Sequence, residues 1–126
     1  EGVGARPAAG QTLDGVSLIT LLKGGALPGR ALFWHYPHYG NQGGSPGGAV
    51  RLGDWKLIEF YEDNRVELYN LAEDIGEKNN LAAKMPERAA ELRKMLDDWR
   101  MSVKAAMPTP NPNYGSEDNG KPRKKK

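Results

Sequence analysis

The sequence predicts an α+β fold: a small antiparallel sheet of about four strands packed against one long C-terminal helix, with a disordered basic tail after it. Three observations lead there. Eight of the ten aromatic residues and both histidines fall between Ala31 and Leu71, in short apolar runs of strand length separated by turn residues. A single apolar stripe of helical period follows, from about Pro86 to Lys104. The chain then turns to proline, asparagine and lysine with no period at all.

Taken in order, residues 1–30 read as a linker and a short helix. The first 13 residues are small and polar. Asp14 to Gly25 places Val16, Leu18, Leu21 and Leu22 close together on two helical turns, which Gly24 and Gly25 would stop. Residues 31–107 hold the folded body. Ala31 to Tyr36 is a strand closed by Pro37. The loop Gly40 to Gly48 carries five glycines and a proline in nine positions, which excludes regular structure. Ala49–Gly53, Trp55–Tyr61 and Val66–Leu71 are three further strands, the last two joined by a turn at Glu62-Asp63-Asn64-Arg65.

The strand Trp55–Tyr61 does not alternate cleanly. Trp55, Leu57 and Tyr61 fall on one face, Ile58 and Phe60 on the other, so the sheet needs cover on both faces. One cover is the Pro86–Lys104 helix, whose Ala89, Leu92, Leu96, Trp99 and Val103 make the stripe while Arg88, Glu91, Lys94, Asp98 and Arg100 take other faces. The second apolar face has no partner within these 126 residues. Residues 108–126 form the expected disordered tail.

Composition excludes several classes of function. A chain of 126 residues supports one domain at most, burying roughly two thirds of its unfolded surface. The net charge of +2 is concentrated: five of 18 basic residues lie in the last six positions, and without them 13 basic residues face 16 acidic ones. Only the tail resembles a polyanion binder, and with no reading element beside it nucleic acid is not an expected partner. The absence of cysteine removes disulfides, thiolate nucleophiles and thiolate metal sites. The longest apolar run, Ser17–Leu22, falls far short of the roughly 20 residues of a membrane span, so no membrane partner is expected. With neither an initiator Met nor a signal peptide, the chain begins as though cut from something longer.

The residues most suited to chemistry are His35, His38 and Tyr39. Imidazoles beside tyrosine hydroxyls can hydrogen-bond an anionic or sugar ligand or move protons near neutral pH. The competing reading has Phe33, Trp34 and Tyr36 packing at a sheet edge while the histidines cap loop backbone. Two histidines without further ligands do not fill a zinc sphere. The glycine loop lacks the Lys-Ser/Thr of a phosphate-binding loop. No nucleophile–base arrangement can be assembled, so no catalytic residue is expected in this chain.

Several segments together resemble one family. Leu13–Gly24 (LDGVSLITLLKG) resembles the Asp-Gly-x-Ser-Leu motif that closes the catalytic domain of sulfatases in the alkaline phosphatase superfamily. LFWHYPHYG, AVRLGDWKLIEFY, VELYNLAEDIGEKNNLA and a helix ending in LDDW then resemble, in order, the carboxy-terminal subdomain of arylsulfatase-type enzymes. The resemblance covers roughly residues 12–114 and departs at Ile75-Gly76, where the family usually has a proline after the aspartate.

The resemblance implies a four-stranded antiparallel sheet with a packed helix, docked in cis on a sulfatase catalytic domain that covers the second sheet face. It implies a sulfuric ester hydrolase as the parent, acting on a sulfated substrate, with a formylglycine and a calcium in the catalytic domain and no cofactor in this chain. His35, His38 and Tyr39 would touch the substrate at the pocket rim, the chain alone would be inactive, and its compartment would be periplasmic or extracellular. The alternatives are a free-standing carbohydrate-binding or interaction module, and part of a related phosphoesterase.

Overall fold

The computed structural model describes residues 8–11, 13 and 15–112. The chain divides into two compact units, Glu1–Arg30 and Ala31–Lys126. In the first, helix α1 spans only Ile19–Leu22. The two turns expected from Asp14 onward shrink to one because the helix has nothing to lie on: Leu18, Leu21 and Leu22 are 55%, 52% and 83% exposed. The stop is where the glycines place it, with Gly24 at φ +80° and the Gly25 amide donating to Thr20 O at 2.9 Å.

The second unit contains strands β1 (Leu32–Tyr36), β2 (Gly47–Leu52), β3 (Trp55–Phe60) and β4 (Val66–Asn70), then helix α2 (Pro86–Ser102). The strands form one antiparallel meander in sequence order. Its register aligns Val50 with Leu57 and Leu57 with Leu68. These three residues, with Leu92 and Leu96 of α2, are fully buried, and each such aliphatic side chain contributes about 1.5–3 kcal/mol by leaving water. Phe33 extends the core by stacking on Trp99, ring centroids 5.0 Å apart and nearly parallel.

Strand β2 begins inside the glycine-rich stretch that the sequence excluded from regular structure. The reason is close approach. A Cβ on Gly47 would lie 2.8 Å from Glu59 O, and one on Gly48 would collide with the Tyr61 hydroxyl, so this end of β2 pairs with β1 and β3 only because it carries no side chains. At the β3–β4 turn, Asn64 adopts φ 56° and Asp63 Oδ1 accepts the Arg65 amide at 3.0 Å, as the turn residues predict.

Helix α2 starts with Pro86 in its first turn and packs on the sheet through Ala89, Leu92 and Leu96. Two stripe assignments change. Val103 is 52% exposed because the helix has ended, whereas Arg100, expected on an outer face, is buried to 9%. It is drawn in by Glu59, which is 3% exposed on the inward face of β3.

Between β4 and α2 the chain is organised by side-chain acceptors. Asp74 Oδ2 takes the amides of Lys78 and Asn79, and Asn80 Oδ1 takes those of Leu68 and Ala82. Asp74 therefore supplies the turn that follows Ile75-Gly76 without a proline. Away from α2, the sheet presents Trp34, Tyr36, Ala49, Ile58 and Phe60 along a shallow groove of about 210 Å³. Trp34 and Tyr36 there are 49% and 53% exposed.

Candidate functional site

Strand parity decides where the two histidines go. Phe33 and His35 share the face of β1 turned toward α2, while Trp34 and Tyr36 share the other. Pro37 then ends the strand, and His38 and Tyr39 lie on the connection beyond it.

His35 is engaged at both ring nitrogens. Nε2 lies 2.8 Å from the Ala106 carbonyl oxygen and Nδ1 lies 2.7 Å from the Tyr61 hydroxyl. A carbonyl can only accept, so Nε2 carries the hydrogen and donates; in the neutral ring Nδ1 then accepts from Tyr61 O–H. His38 is exposed and meets the Tyr36 ring edge-on at 5.6 Å. The structure therefore parts the two histidines, one turned inward toward the helix side and one resting on the outward-facing Tyr36. Tyr39, 69% exposed, donates its hydroxyl to Glu62 Oε1 at 2.8 Å.

Behind His35 lies a charged cluster that the sequence did not reveal. Glu59 Oε1 and Oε2 are each 2.7 Å from an arginine, Arg93 Nη2 and Arg100 Nη2 respectively, and Arg100 also meets Asp97. The Arg100–Glu59 contact is a charge contact off the hydrogen-bond axis, and Arg100 Nη1 is buried without an acceptor. Arg100 also lies 5.3 Å from the Tyr61 ring centroid. Burial pushes the Tyr61 phenol above its usual value, opposed by the hydrogen bond and charge of Arg100. Glu59, Arg100, Tyr61 and His35 thus form one polar chain from the sheet interior to Ala106. Inward parity of Glu59 beside Leu57 was its only sequence signal, because the arginines that answer it lie on α2, remote in the chain.

Tyr39 and Tyr61 line an open cleft of about 920 Å³ with Glu62, Pro108, Pro110 and Asn111. The walls are aromatic and prolyl, suited to the apolar face of a sugar ring, and Glu62 can accept from hydroxyl or amino groups. The same carboxylate opposes a sulfate: two unit charges 4 Å apart repel by about 4 kcal/mol at an effective dielectric of 20. Of the three residues singled out, Tyr39 lines the cleft, and His35 and His38 are not among its lining residues.

Among the described residues no three His, Asp or Glu side chains converge as a metal set, and no helix is long and apolar enough to cross a membrane. The described residues therefore assemble no set that would hold the calcium of the sulfatase resemblance. Of the tail expected over residues 108–126, residues 113–126, the basic segment Lys121–Lys126 included, lie outside the described residues.

Comparison with known proteins agrees with this architecture. Residues 4–103 match the family described as N-sulphoglucosamine sulphohydrolase, C-terminal. A curated sulfatase of Formosa agariphila is 36% identical over 102 residues, covering 71% of this chain but 18% of that protein. A solved 2-O GAG sulfatase superposes with a TM-score of 0.60 at 33% identity, over 80% of this chain and 22% of its own. A second solved protein, in complex with its substrate D-glucosamine-2-N,6-O-disulfate, gives a TM-score of 0.63 at 28% identity, over 79% and 21%. The chain thus spans about a fifth of the length of the proteins it matches. With the meander, the packed helix and the family match in agreement, the chain belongs to the N-sulphoglucosamine sulphohydrolase C-terminal family and is a carboxy-terminal sulfatase subdomain.

Proposed function

We propose that this chain serves a sulfuric ester hydrolase of arylsulfatase type, in the alkaline phosphatase superfamily, that acts on a sulfated carbohydrate. Its own work is structural support and contact at the rim of the substrate pocket. The family match over residues 4–103 carries this reading. The sulfated glucosamine bound by one structural neighbour and the glycosaminoglycan specificity of another support the substrate class.

The catalytic domain, in cis in the parent protein, covers the sheet face that exposes Trp34 and Tyr36. That face is apolar and open in the described residues, which supports docking there. Formylglycine and calcium supply the sulfate-ester chemistry in that domain, and this chain alone has no turnover. At the rim, Tyr39 stacks on a sugar ring and Glu62 accepts from its hydroxyl or amino groups, while His38 approaches the same substrate from the connection beyond β1. The bacterial sulfatase relative supports an address outside the cytoplasm, periplasmic or extracellular, which fractionating source cells tests.

The deciding experiment measures sulfate release from sulfated glycosaminoglycan saccharides by the full-length parent and by the 126-residue chain alone. Release by the parent and none by the chain is expected. Phosphomonoester hydrolysis without sulfate release would move the protein to the related phosphoesterases. Saccharide binding by the isolated chain, with no catalytic domain encoded beside it, would make it a free-standing binding module.

A further inference from the structure

The segment that follows α2 reverses and returns to the sheet. Lys104 makes the reversal with φ 52°, and the Ala105 amide donates to Arg100 O at 2.9 Å. One residue later the Ala106 carbonyl accepts from His35 Nε2 at 2.8 Å, a contact across 71 residues of sequence. Immediately beyond, Pro108, Thr109, Pro110 and Asn111 form one wall of the cleft whose other wall holds Pro37, Tyr39 and Glu62. The His35 bond ties this segment to the sheet directly before the wall begins.

We propose that His35 is a positioning residue: its Nε2–H···O bond to Ala106 latches the post-helical segment so that residues 108–111 stand as a wall of the cleft opposite Tyr39. The latch has a built direction. Tyr61 O–H donates to Nδ1, which leaves Nε2 as the nitrogen that carries hydrogen and faces Ala106. Tyr61 is held in turn by its backbone, whose amide donates to Pro46 O at 3.0 Å, and by Arg100 over its ring. Gly48, directly across from His35 in the β1–β2 register, leaves room for the Tyr61 hydroxyl to reach the imidazole. His35 therefore acts on a ligand through Pro108–Asn111 and does not touch it. Its bearing on substrate rests on the rim function proposed above; the latch itself concerns only where residues 105–111 lie.

The test needs no substrate, so failure of the latch and failure of the rim function are distinguishable. In the full 126-residue chain, nuclear Overhauser contacts between the side chain at position 35 and Ala106 and Met107 report where the post-helical segment lies. Tryptic cleavage after Lys104 reports release. His35→Phe keeps an aromatic ring and removes the donor; it should abolish these contacts and speed cleavage about fivefold, the effect of one lost net hydrogen bond. The Phe33–Trp99 contacts should persist. His35→Gln, whose side-chain amide reaches the Nε2 position, should restore both readouts. Should His35→Phe fail to fold, Tyr61→Phe keeps both rings and frees the imidazole's orientation, so the same contacts should weaken. Contacts that survive loss of the donor, or a glutamine that fails to rescue, would overturn the latch.

Discussion

Replacing Glu59 by leucine removes the centre of the buried charge cluster while keeping its volume apolar. Glu59 and Arg100 are 3% and 9% exposed, so the mutation leaves Arg100 in the interior with the Tyr61 side chain and Asp97, whose side chain is 48% exposed. Breaking a buried pair by removing one partner costs about 3–5 kcal/mol. The surviving Asp97 contact puts the expected loss near the lower end, about 3 kcal/mol. Arg93, with a side chain 41% exposed, adds no more than about 0.5 kcal/mol. With an m-value of about 1–1.5 kcal/mol/M for a body of this size, the urea midpoint should fall by about 2–3 M. Tryptophan fluorescence, to which Trp55 and Trp99 against Phe33 contribute, follows the transition. The double variant Glu59→Leu/Arg100→Met should return to within about 1 kcal/mol of the parent, because a buried pair exchanged for apolar side chains is close to neutral. A single variant that loses less than about 1 kcal/mol, or a double variant less stable than either single, would refute the electrostatic reasoning.

Other expectations follow from individual groups. Tyr69 is pushed up to about 12 by burial and by its hydrogen bond to Glu67. Its neutral form is favoured in the fold, so the stability it contributes is present below pH 10 and is lost as pH rises toward 12; Tyr69→Phe should flatten this alkaline decline in urea titrations. Asp74 lies below its usual 3.8 because the amides of Asn79 and Lys78 hydrogen-bond its carboxylate. The stability it contributes is present above that value and is lost as pH falls below it, and Asp74→Ala should remove that acid-side slope, read by circular dichroism. Gly48→Ala forces the Tyr61 hydroxyl aside; tyrosine ring shifts and a lower melting temperature should both report it, and unchanged spectra would contradict the close approach.

The strands and the long helix were legible because their signals are local. Apolar runs bounded by Pro37, Gly53 and the Glu62–Arg65 turn give β1 to β4 within a residue or two, apart from the start of β2. Pro86 and the leucine spacing give α2. The start of β2 was hidden because glycine that serves close packing is written with the same letter as glycine that serves a loop. Arg100 was placed outside because it lies one position past Trp99 on the edge of the stripe, and what draws it inward is Glu59, 41 residues earlier in the chain. The candidate site was half legible. Residue types drew attention to His35, His38 and Tyr39, but the parity that separates His35 from His38 depends on where β1 ends, and the partners Ala106 and Glu62 are set by tertiary contact alone.

Because every strand pairs with its immediate neighbour in sequence, the order in which this subdomain assembles is nearly dictated by its topology. Hairpins β2–β3 and β3–β4 close over short loops and require little chain entropy, so they can form on the microsecond scale and template one another. Helix α2 must wait for the row Val50, Leu57 and Leu68 before it has a surface to cover. The contact between His35 and Ala106, which links the first strand to the residues after the last helix, is the longest closure described and should form last. Newly made chains would then hold a complete hydrophobic core before the cleft acquires its second wall.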